Sequence, residues 1–426
     1  MILAVFLISI FVFLFLGIPV AFSILLTVFT MATSSGVTSF NIVPSYLYSG
    51  VNNFALMAIP FFILCGDLMN AGNLSKGIVD FCRVLLGHIK AGIGYAAILA
   101  CMIFACLTGA AVVTVSAIGG IMLPLMIKEG YDPADSTACV CAGSITGPII
   151  PPSLPMVIFG VLSGVSVTKM FVGGVVPGVI TGLICMVAWF FMNKKRSYAM
   201  QPKATAGELL RATKTAFPAL MMPIIMMGGI LAGVFTPTEA GVVACVYAWF
   251  VSTFIYKKMN FKLFKKVVVK SAKSSAVIMV IVAVCQALAT VITVARIPQT
   301  IAEMISSFSD NPTVIMCLIN VFVLIVGLFM DVTPALTILT PIFLPIAVSV
   351  GIDPIVFGVT MIYALVIGLI TPPVGNVLYI GIGISKITLL DLLKKIWPMV
   401  LLYVLILFLI TLVPDLIMFL PNMVMG

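Results

Sequence analysis

The stretch "LITPPVGN", residues 369–376, lies inside an apolar run that begins near Ile355 and reaches Ile384. A run of that length can span a bilayer, which takes about 20 apolar residues. Each proline in it removes a backbone donor and clashes with the preceding turn, at about 3 kcal/mol in a helix interior. Because lipid offers no water to the freed carbonyls, such a break is tolerated only where protein or a wet cavity receives it. The stretch therefore predicts a helix broken at a binding site.

The composition defines the class of protein around this stretch. The chain has 426 residues, 62% hydrophobic and 8% charged, whereas soluble chains carry about 25% charged residues. The apolar runs are continuous rather than alternating, which predicts an all-α polytopic membrane protein and not a barrel. We interpret the net charge of +9 as topology charge rather than nucleic-acid binding. The ten cysteines lie in apolar segments and fit buried small hydrophobes, since one histidine completes no zinc site.

The distribution of lysine and arginine predicts the path through the membrane. The two longer basic stretches, 194–214 and 256–273, are expected to be cytoplasmic loops. The apolar segment 92–127 starts after Lys90 and ends at Lys128, so both of its ends are cytoplasmic and it must turn back as a re-entrant hairpin. The N-terminal run has no charged start and no cleavage site, which predicts a retained helix. The predicted crossings are 2–32, 51–73, 135–164, 171–193, 216–235, 237–256, 274–294, 355–385 and 396–420.

On this path 20 of the 22 basic residues are cytoplasmic, as is the N-terminus, and the C-terminus is periplasmic. The segment 312–350 has both ends outside, which makes it a second hairpin that enters from the opposite face. The opening stretch then lies in a helix that crosses inward.

Four landmarks recur at one offset and indicate an internal repeat. Pro124, Asp132, Pro151 and Pro177 each have an identical residue 221 positions later, at 345, 353, 372 and 398. One copy crosses outward where the other crosses inward, so the repeat is inverted, a design typical of secondary transporters with broken helices at the midplane. The predicted domains are a first repeat, 1–193, with hairpin 92–127 and broken helix 135–164; a cytoplasmic linker and connecting helix, 194–236; and a second repeat, 237–426, with hairpin 312–350 and broken helix 355–385.

Each half thus has a hairpin tip and a proline break, and both expose helix ends at membrane depth. Carbonyls and Thr, Ser or Asn oxygens there can bind Na⁺, and helix N-termini favour an anion. We expect one cation site between tip and break in each half, with an anionic ligand between the halves. The alternative is that the prolines are plain kinks, which are common in membrane helices.

Four polar residues have two interpretations each. Asp331 in the second hairpin is either a functional intramembrane carboxylate or a cap on the tip. Asn376 either ligates or caps the half-helix that follows the break. Asp67, near the cytoplasmic end of helix 51–73, is expected to have a structural or capping role. Arg296 on the outer side is expected to be a surface residue or a partner contact.

Four motifs in order resemble the large membrane subunit, DctM, of tripartite ATP-independent periplasmic (TRAP) transporters. They are "GSITGPIIPPSLPMVIFG", "GVFTPTEAG", "GLFMDVTPALTILTPIFLPI" and "GLITPPVGNVLY", and the resemblance spans essentially the whole chain. It implies an elevator-type, Na⁺-coupled importer of organic acids such as C4-dicarboxylates or sialic acid, in the bacterial inner membrane. The implied partners are a small four-helix membrane subunit, expected on a separate chain, and a periplasmic binding protein. Na⁺ is the coupling ion, with no cofactor and no transition metal.

The resemblance also implies site residues at the tips and the breaks. They are Thr108 and Gly109 at the first tip; Gly147, Pro151, Pro152 and Ser153 at the first break; Asp331 and Thr333 at the second tip; and Thr371, Pro372, Pro373, Gly375 and Asn376 at the second break. The family's first tip is typically serine-rich, but Ala110, Ala111 and Val112 follow the glycine here. Fewer side-chain oxygens leave that site dependent on backbone carbonyls.

Two other functions compete with the tripartite importer. A stand-alone Na⁺-coupled anion permease on a related inverted-repeat fold would need no binding protein. A membrane aspartyl protease is disfavoured because Asp132 is placed in a loop. The chain contains neither H-E-x-x-H nor a P-loop motif, which argues against a metalloprotease and an ATP-driven pump. We therefore expect a transporter and not an enzyme.

Overall fold

The computed structural model describes residues 2–35, 40–194, 196, 198, 200–306 and 311–425, and in them it contains twenty α-helices and no strand. The first ten helices are α1 (Ile2–Phe15), α2 (Val20–Ser35), α3 (Val43–Val51), α4 (Ala58–Ala71), α5 (Leu74–Leu86), α6 (Gly92–Thr108), α7 (Ala111–Lys128), α8 (Pro133–Ser144), α9 (Leu154–Ser163) and α10 (Val167–Asn193). The others are α11 (Ala206–Leu231), α12 (Pro237–Phe250), α13 (Phe261–Val294), α14 (Ile297–Ser306), α15 (Pro312–Gly327), α16 (Val332–Ser349), α17 (Pro354–Gly368), α18 (Asn376–Ser385), α19 (Leu389–Leu412) and α20 (Asp415–Met425).

The all-α polytopic fold with two hairpins and two broken helices is confirmed. Eight helices in the described part of the chain are long and apolar enough to cross a membrane. Helices α6 and α7 form the first hairpin, and α15 and α16 form the second. Helices α8 and α9 are the halves of one broken helix, and α17 and α18 are the halves of the other. The assignment of residues to domains stays a prediction.

Three predicted boundaries are wrong, each for a local reason. The predicted helix 2–32 is two helices, α1 and α2, which pack against each other, because Gly17 adopts φ +75° and Pro19 lacks a backbone donor. The predicted helix 396–420 divides into α19 and α20 before Pro414, since a proline restricts the residue that precedes it. The predicted loop 256–273 is helical from Phe261 onward, because lysine is a good helix former. A fourth boundary is also wrong, since the predicted loop 194–214 is helical from Ala206 onward, after a capping box between Thr205 and Glu208. The orientation of the N-terminus relied on a single crossing by residues 2–32, and it stays a prediction.

The inversion of the two halves is visible in the helix contacts. The half-helix before the first break, α8, lies beside the half-helix after the second break, α18, where Gly381 faces Thr137 and Cys141. The half-helix after the first break, α9, lies beside α17, where Gly358 faces the ring of Phe159. The two broken helices therefore run antiparallel, as the inverted repeat requires.

The residues that start each broken helix are equivalent in detail. Asp132 caps α8 by accepting the N–H groups of two following residues, and Asp353 caps α17 in the same way. Gly130 and Gly351, which precede them, both adopt φ +84°. Side-chain oxygens at the N-cap satisfy donors that the first turn leaves free. The offset of 221 therefore preserves a local structure as well as a sequence.

A buried carboxylate joins three segments at the basic end of the bundle. Asp135, on α8, is 2% exposed and forms ion pairs with Arg196 and, at 3.0 Å, with Lys395 of α19. Nearby, Lys90 donates a hydrogen bond to the carbonyl of Lys194 at 2.9 Å. All of these residues lie in or next to loops predicted to be cytoplasmic, so the structure brings those loops to one end. The attraction of the two cations also offsets the free-energy cost of removing the Asp135 carboxylate from water.

The inversion predicts the sidedness of two equivalent positions. Lys128 and Ser349 lie 221 residues apart, are exposed, and each ends one hairpin. We expect a membrane-impermeant maleimide to label Lys128→Cys only from the cytoplasmic face and Ser349→Cys only from the periplasmic face. Wild-type protein gives the background from the native cysteines. Labelling of both variants from one face would contradict the inverted topology.

The ion-pair cluster makes a prediction about stability. Asp135→Asn removes the charge that holds both cations, and we expect it to lower the free energy of unfolding by about 2 kcal/mol. That is less than the 3–5 kcal/mol typical when a buried pair loses one partner, because both cations remain partly exposed. Thermal unfolding in detergent measures the effect. Asp80→Asn is the matched control, since Asp80 is 47% exposed and lies 4.0 Å from Arg83, and a surface pair contributes little.

Candidate functional site

The first hairpin turns at a left-handed glycine. Gly109 has φ +61° and ends α6, a conformation that glycine adopts without the strain of a side chain. Thr108 and Thr114, on opposite sides of the turn, place their hydroxyl oxygens 3.3 Å apart, and Thr114 also donates to the carbonyl of Ala110 at 2.9 Å. The motif search missed Thr114. Thr114 is fully buried, and its hydroxyl links the two sides of the turn.

The first tip packs directly on the first helix break. A side chain at Gly109 would meet the carbonyl oxygen of Pro152 at 2.9 Å and the backbone of Ser153 at 3.1 Å. One at Gly147 would meet the carbonyl group of Ala110 at 3.0 Å. Only glycine allows this approach of two backbones. The structure thus brings together four of the residues predicted for the first site.

Within the first break the chain is held by short-range bonds. Ile150 donates its N–H to the carbonyl of Thr146 at 2.8 Å, and the hydroxyl of Ser153 donates to the carbonyl of Pro148 at 2.5 Å. The peptide bond between Pro151 and Pro152 is cis. All nine residues from 145 to 153 are buried. Unwound backbone at this depth concentrates carbonyl oxygens beside the hairpin tip.

The second tip carries the intramembrane carboxylate. Asp331 is the N-cap of α16, and its Oδ1 accepts the N–H of Val332 at 2.8 Å. The capping interpretation is therefore confirmed. The residue is exposed and faces a cavity, so capping leaves the functional interpretation open. Thr333 follows it on the same wall.

The second break contacts the second tip, as in the first half. Val374 donates its N–H to the carbonyl of Leu328 at 3.3 Å. Gly368 and Gly327 bring the backbones of α17 and α15 together with no room for a side chain. The hydroxyl of Thr371 donates to the carbonyl of Ile367 at 2.8 Å.

The interpretation of Asn376 as the cap of α18 is wrong. Gly375, with φ +40°, occupies the N-cap position, so Asn376 is the first helical residue and not the cap. Pro372 and Pro373, joined by a cis bond, precede it. Glycine takes the cap because the chain needs a positive φ there, which costs a side-chain-bearing residue more.

Both tips line one cavity of about 350 Å³. Four predicted site residues face it: Thr108, Gly109, Asp331 and Thr333. The remaining predicted residues are not among its lining, and those of the first break lie buried behind the tip. The first residues of three helices also line the cavity: Ala111 of α7, Leu154 of α9 and Val332 of α16. Three helix N-termini, each with a partial positive charge, therefore point to one space.

Helices α4 and α13 also contribute to the lining of the cavity. Asp67 of α4 accepts a hydrogen bond from Lys270 at 2.6 Å and another from the hydroxyl of Ser271 at 2.8 Å. Asp67 and Lys270 both line the cavity. Sequence reasoning gave Asp67 a structural role and did not single out Lys270, because 203 residues separate the partners and no pattern links them.

The family model for the DctM component of tripartite ATP-independent periplasmic transporters matches residues 7–416. A putative TRAP transporter large permease protein of Haemophilus influenzae is 42% identical over 95% of each chain. The 2,3-diketo-L-gulonate TRAP transporter large permease protein YiaN of Escherichia coli is 40% identical over 94% of this chain and 95% of its own. The sialic acid TRAP transporter large permease protein SiaM of Vibrio cholerae is 33% identical over 97% of both.

The fold is also that of a solved membrane transporter. The YdaH transporter of Alcanivorax borkumensis superposes with a TM-score of 0.63 over 87% of each chain, at 14% identity. That identity shows the fold alone, whereas the family model and the relatives show the family. The chain therefore belongs to the DctM family, the large permease subunits of TRAP transporters, and is a multi-pass membrane transporter subunit and not an enzyme.

Proposed function

We propose that this subunit imports an organic acid across the bacterial inner membrane. A Na⁺ gradient drives the import, and a periplasmic binding protein delivers the acid. The observation that carries the proposal is the single cavity lined by both hairpin tips, each packed on its own helix break. Convergent helix ends from two inverted halves are how secondary transporters build a substrate site near the midplane.

Two sodium sites are proposed, one in each half. At the first tip the ligands are the hydroxyl of Thr108 and backbone carbonyls near Gly109 and the first break. At the second tip they are Asp331 and Thr333, with Thr371 of the break. These groups are oxygens, the ligand type that hard cations prefer. Unwound carbonyls beside half-helices coordinate Na⁺ in other transporters of inverted-repeat design.

The substrate is proposed to be a carboxylate held between the tips. The three helix N-termini that meet at the cavity favour a negative charge, as an anion site at a helix N-terminus does. The relatives are named for 2,3-diketo-L-gulonate and for sialic acid. Both are organic acids, and a C4-dicarboxylate belongs to the same class.

Transport is proposed to follow an elevator mechanism. Helices α6 to α9 and α15 to α18 carry the tips and the breaks, and they would move together past α4 and α13. The cavity lies where these two sets of helices meet, so displacement of one set would change the face to which it opens. Membership of a tripartite family supports a small membrane subunit and a periplasmic binding protein as partners.

Reconstitution tests the whole proposal. With the small subunit and the binding protein in liposomes, we expect uptake of one labelled acid among succinate, sialic acid and 2,3-diketo-L-gulonate. Uptake should need both the binding protein and an inward Na⁺ gradient. Sodium-driven uptake by this chain without the binding protein would instead favour the stand-alone permease. Uptake that is unchanged when choline replaces Na⁺ would contradict the sodium coupling.

The sodium site at the second tip makes a separate prediction. Asp331→Asn removes the carboxylate charge but keeps an oxygen that can cap α16. We therefore expect normal expression and a half-saturating Na⁺ concentration raised at least tenfold, measured as uptake against Na⁺. Asp353→Asn is the matched control, because Asp353 caps α17 in the same half and is not among the residues that line the cavity. An unchanged Na⁺ dependence in Asp331→Asn would remove this residue from the site.

A further inference from the structure

The cavity contains one full positive charge that has no counterpart in the other half of the repeat, because position 49, 221 residues before Lys270, is a serine. Its charged lining residues, within the described part of the chain, are Asp67, Lys270 and Asp331. Lys270 is the cation among them. Four other lysines lie in the first four turns of α13, and none of them lines the cavity: Lys262, Lys265, Lys266 and Lys273. Lys270 therefore differs from the other lysines of this segment in that it lines the cavity.

The Lys270 ammonium is held firmly yet remains open to the cavity. Its Nζ lies 2.6 Å from Asp67, while its side chain is 66% exposed. An ammonium has three N–H donors, so the bond to Asp67 leaves two for another acceptor. Asp67 itself is 10% exposed and takes a second hydrogen bond from Ser271. The Asp67 carboxylate thus fixes the position of the Lys270 ammonium and leaves the ammonium accessible from the cavity.

The Asp67–Lys270 pair lines the same cavity as the three helix N-termini. Asp67 and Lys270 belong to α4 and α13, outside both hairpins and both broken helices. A carboxylate in the cavity can therefore meet both the partial positive charges of the helix N-termini and the full charge of Lys270. Hydrogen bonds between ionised groups are about twice as strong as neutral ones.

We propose that Lys270 is a substrate-binding residue, whose ammonium receives the acid group of the transported anion while Asp67 holds it in place. The proposal rests on the proposed transport of organic acids. Because Asp67 shares the ammonium, the anion is bound by a partly neutralised charge and is released more readily than from a free lysine. The shared chemistry is an acid group, which a carboxylate or a sulfonate supplies.

Uptake kinetics test this role. Lys270→Met keeps the length of the side chain and removes the charge, and we expect it to raise KM for the transported acid at least tenfold. The half-saturating Na⁺ concentration should stay within twofold of wild type. Lys270→Arg should recover most of the affinity. Lys265→Met is the matched control, since Lys265 lies on the same helix, is exposed and does not line the cavity. An unchanged KM in Lys270→Met would overturn the proposal.

A second experiment needs no transport and separates this proposal from the proposed function. Ser274, one helical turn beyond Lys270, lines the cavity and is exposed. In a Ser274→Cys protein, the rates of modification by a negatively charged and a positively charged methanethiosulfonate reagent report the local charge. We expect Lys270→Met to lower the ratio of the negative to the positive rate at least fivefold, and Asp67→Asn to raise it.

The two experiments fail in different ways. If wild-type protein takes up none of the three acids, the proposed function fails, and the reagent ratio still decides whether Lys270 attracts anions. If the ratio is the same with and without the Lys270 charge, the proposal is overturned whatever the protein transports. If Lys270→Met does not fold, Asp67→Asn gives the answer, because an unchanged ratio in that variant also contradicts a shared ammonium.

Discussion

The structure depends on the need to satisfy backbone polar groups in a bilayer. Where a helix stops at membrane depth, its free carbonyls and N–H groups must meet protein or enclosed water. Each tip here meets its own break: Gly109 approaches the backbone of Ser153 in the first half, and Val374 donates to Leu328 in the second. Pairing the irregular points in this way leaves helix ends around one space. The cavity is thus a consequence of how the freed backbone groups are satisfied.

The two halves contribute unequally to that space. Both tips line it, as do Leu369 at the beginning of the second break and, in the first half, Leu154 at the start of α9. The equivalent start of α18, at Asn376, is half-buried and is not part of the lining. An inverted repeat with identical halves would give a symmetric site. On the proposed elevator mechanism, this inequality corresponds to one of the two states of the carrier.

The features that the sequence predicted correctly are those with a short-range physical cause. The Pro–Pro pairs predicted the breaks from local backbone chemistry, and the distribution of lysine and arginine with the offset of 221 predicted the hairpins and their inversion. The caps at Asp132 and Asp353 are a finding of the structure at two landmarks of that repeat. Short breaks in apolar runs, such as the one at Pro19, were missed because hydropathy alone does not distinguish one long helix from two packed ones. The pairing of Asp67 with Lys270 could not be predicted, because only the packing of α4 on α13 creates it.

The charges around the cavity give a physical reason for coupling an anion to sodium. With all three groups ionised, Asp67 and Asp331 contribute two negative charges and Lys270 one positive, so the formal charge of the lining is −1. An organic acid that enters alone meets repulsion from two carboxylates, which a low-dielectric wall weakens less than water does. A sodium ion at Asp331 brings the formal sum to zero and leaves the Lys270 ammonium and the partial charges of the helix N-termini as the attraction. On the proposed mechanism, the bound cation therefore strengthens binding of the acid, and the gradient that loads it drives the uptake.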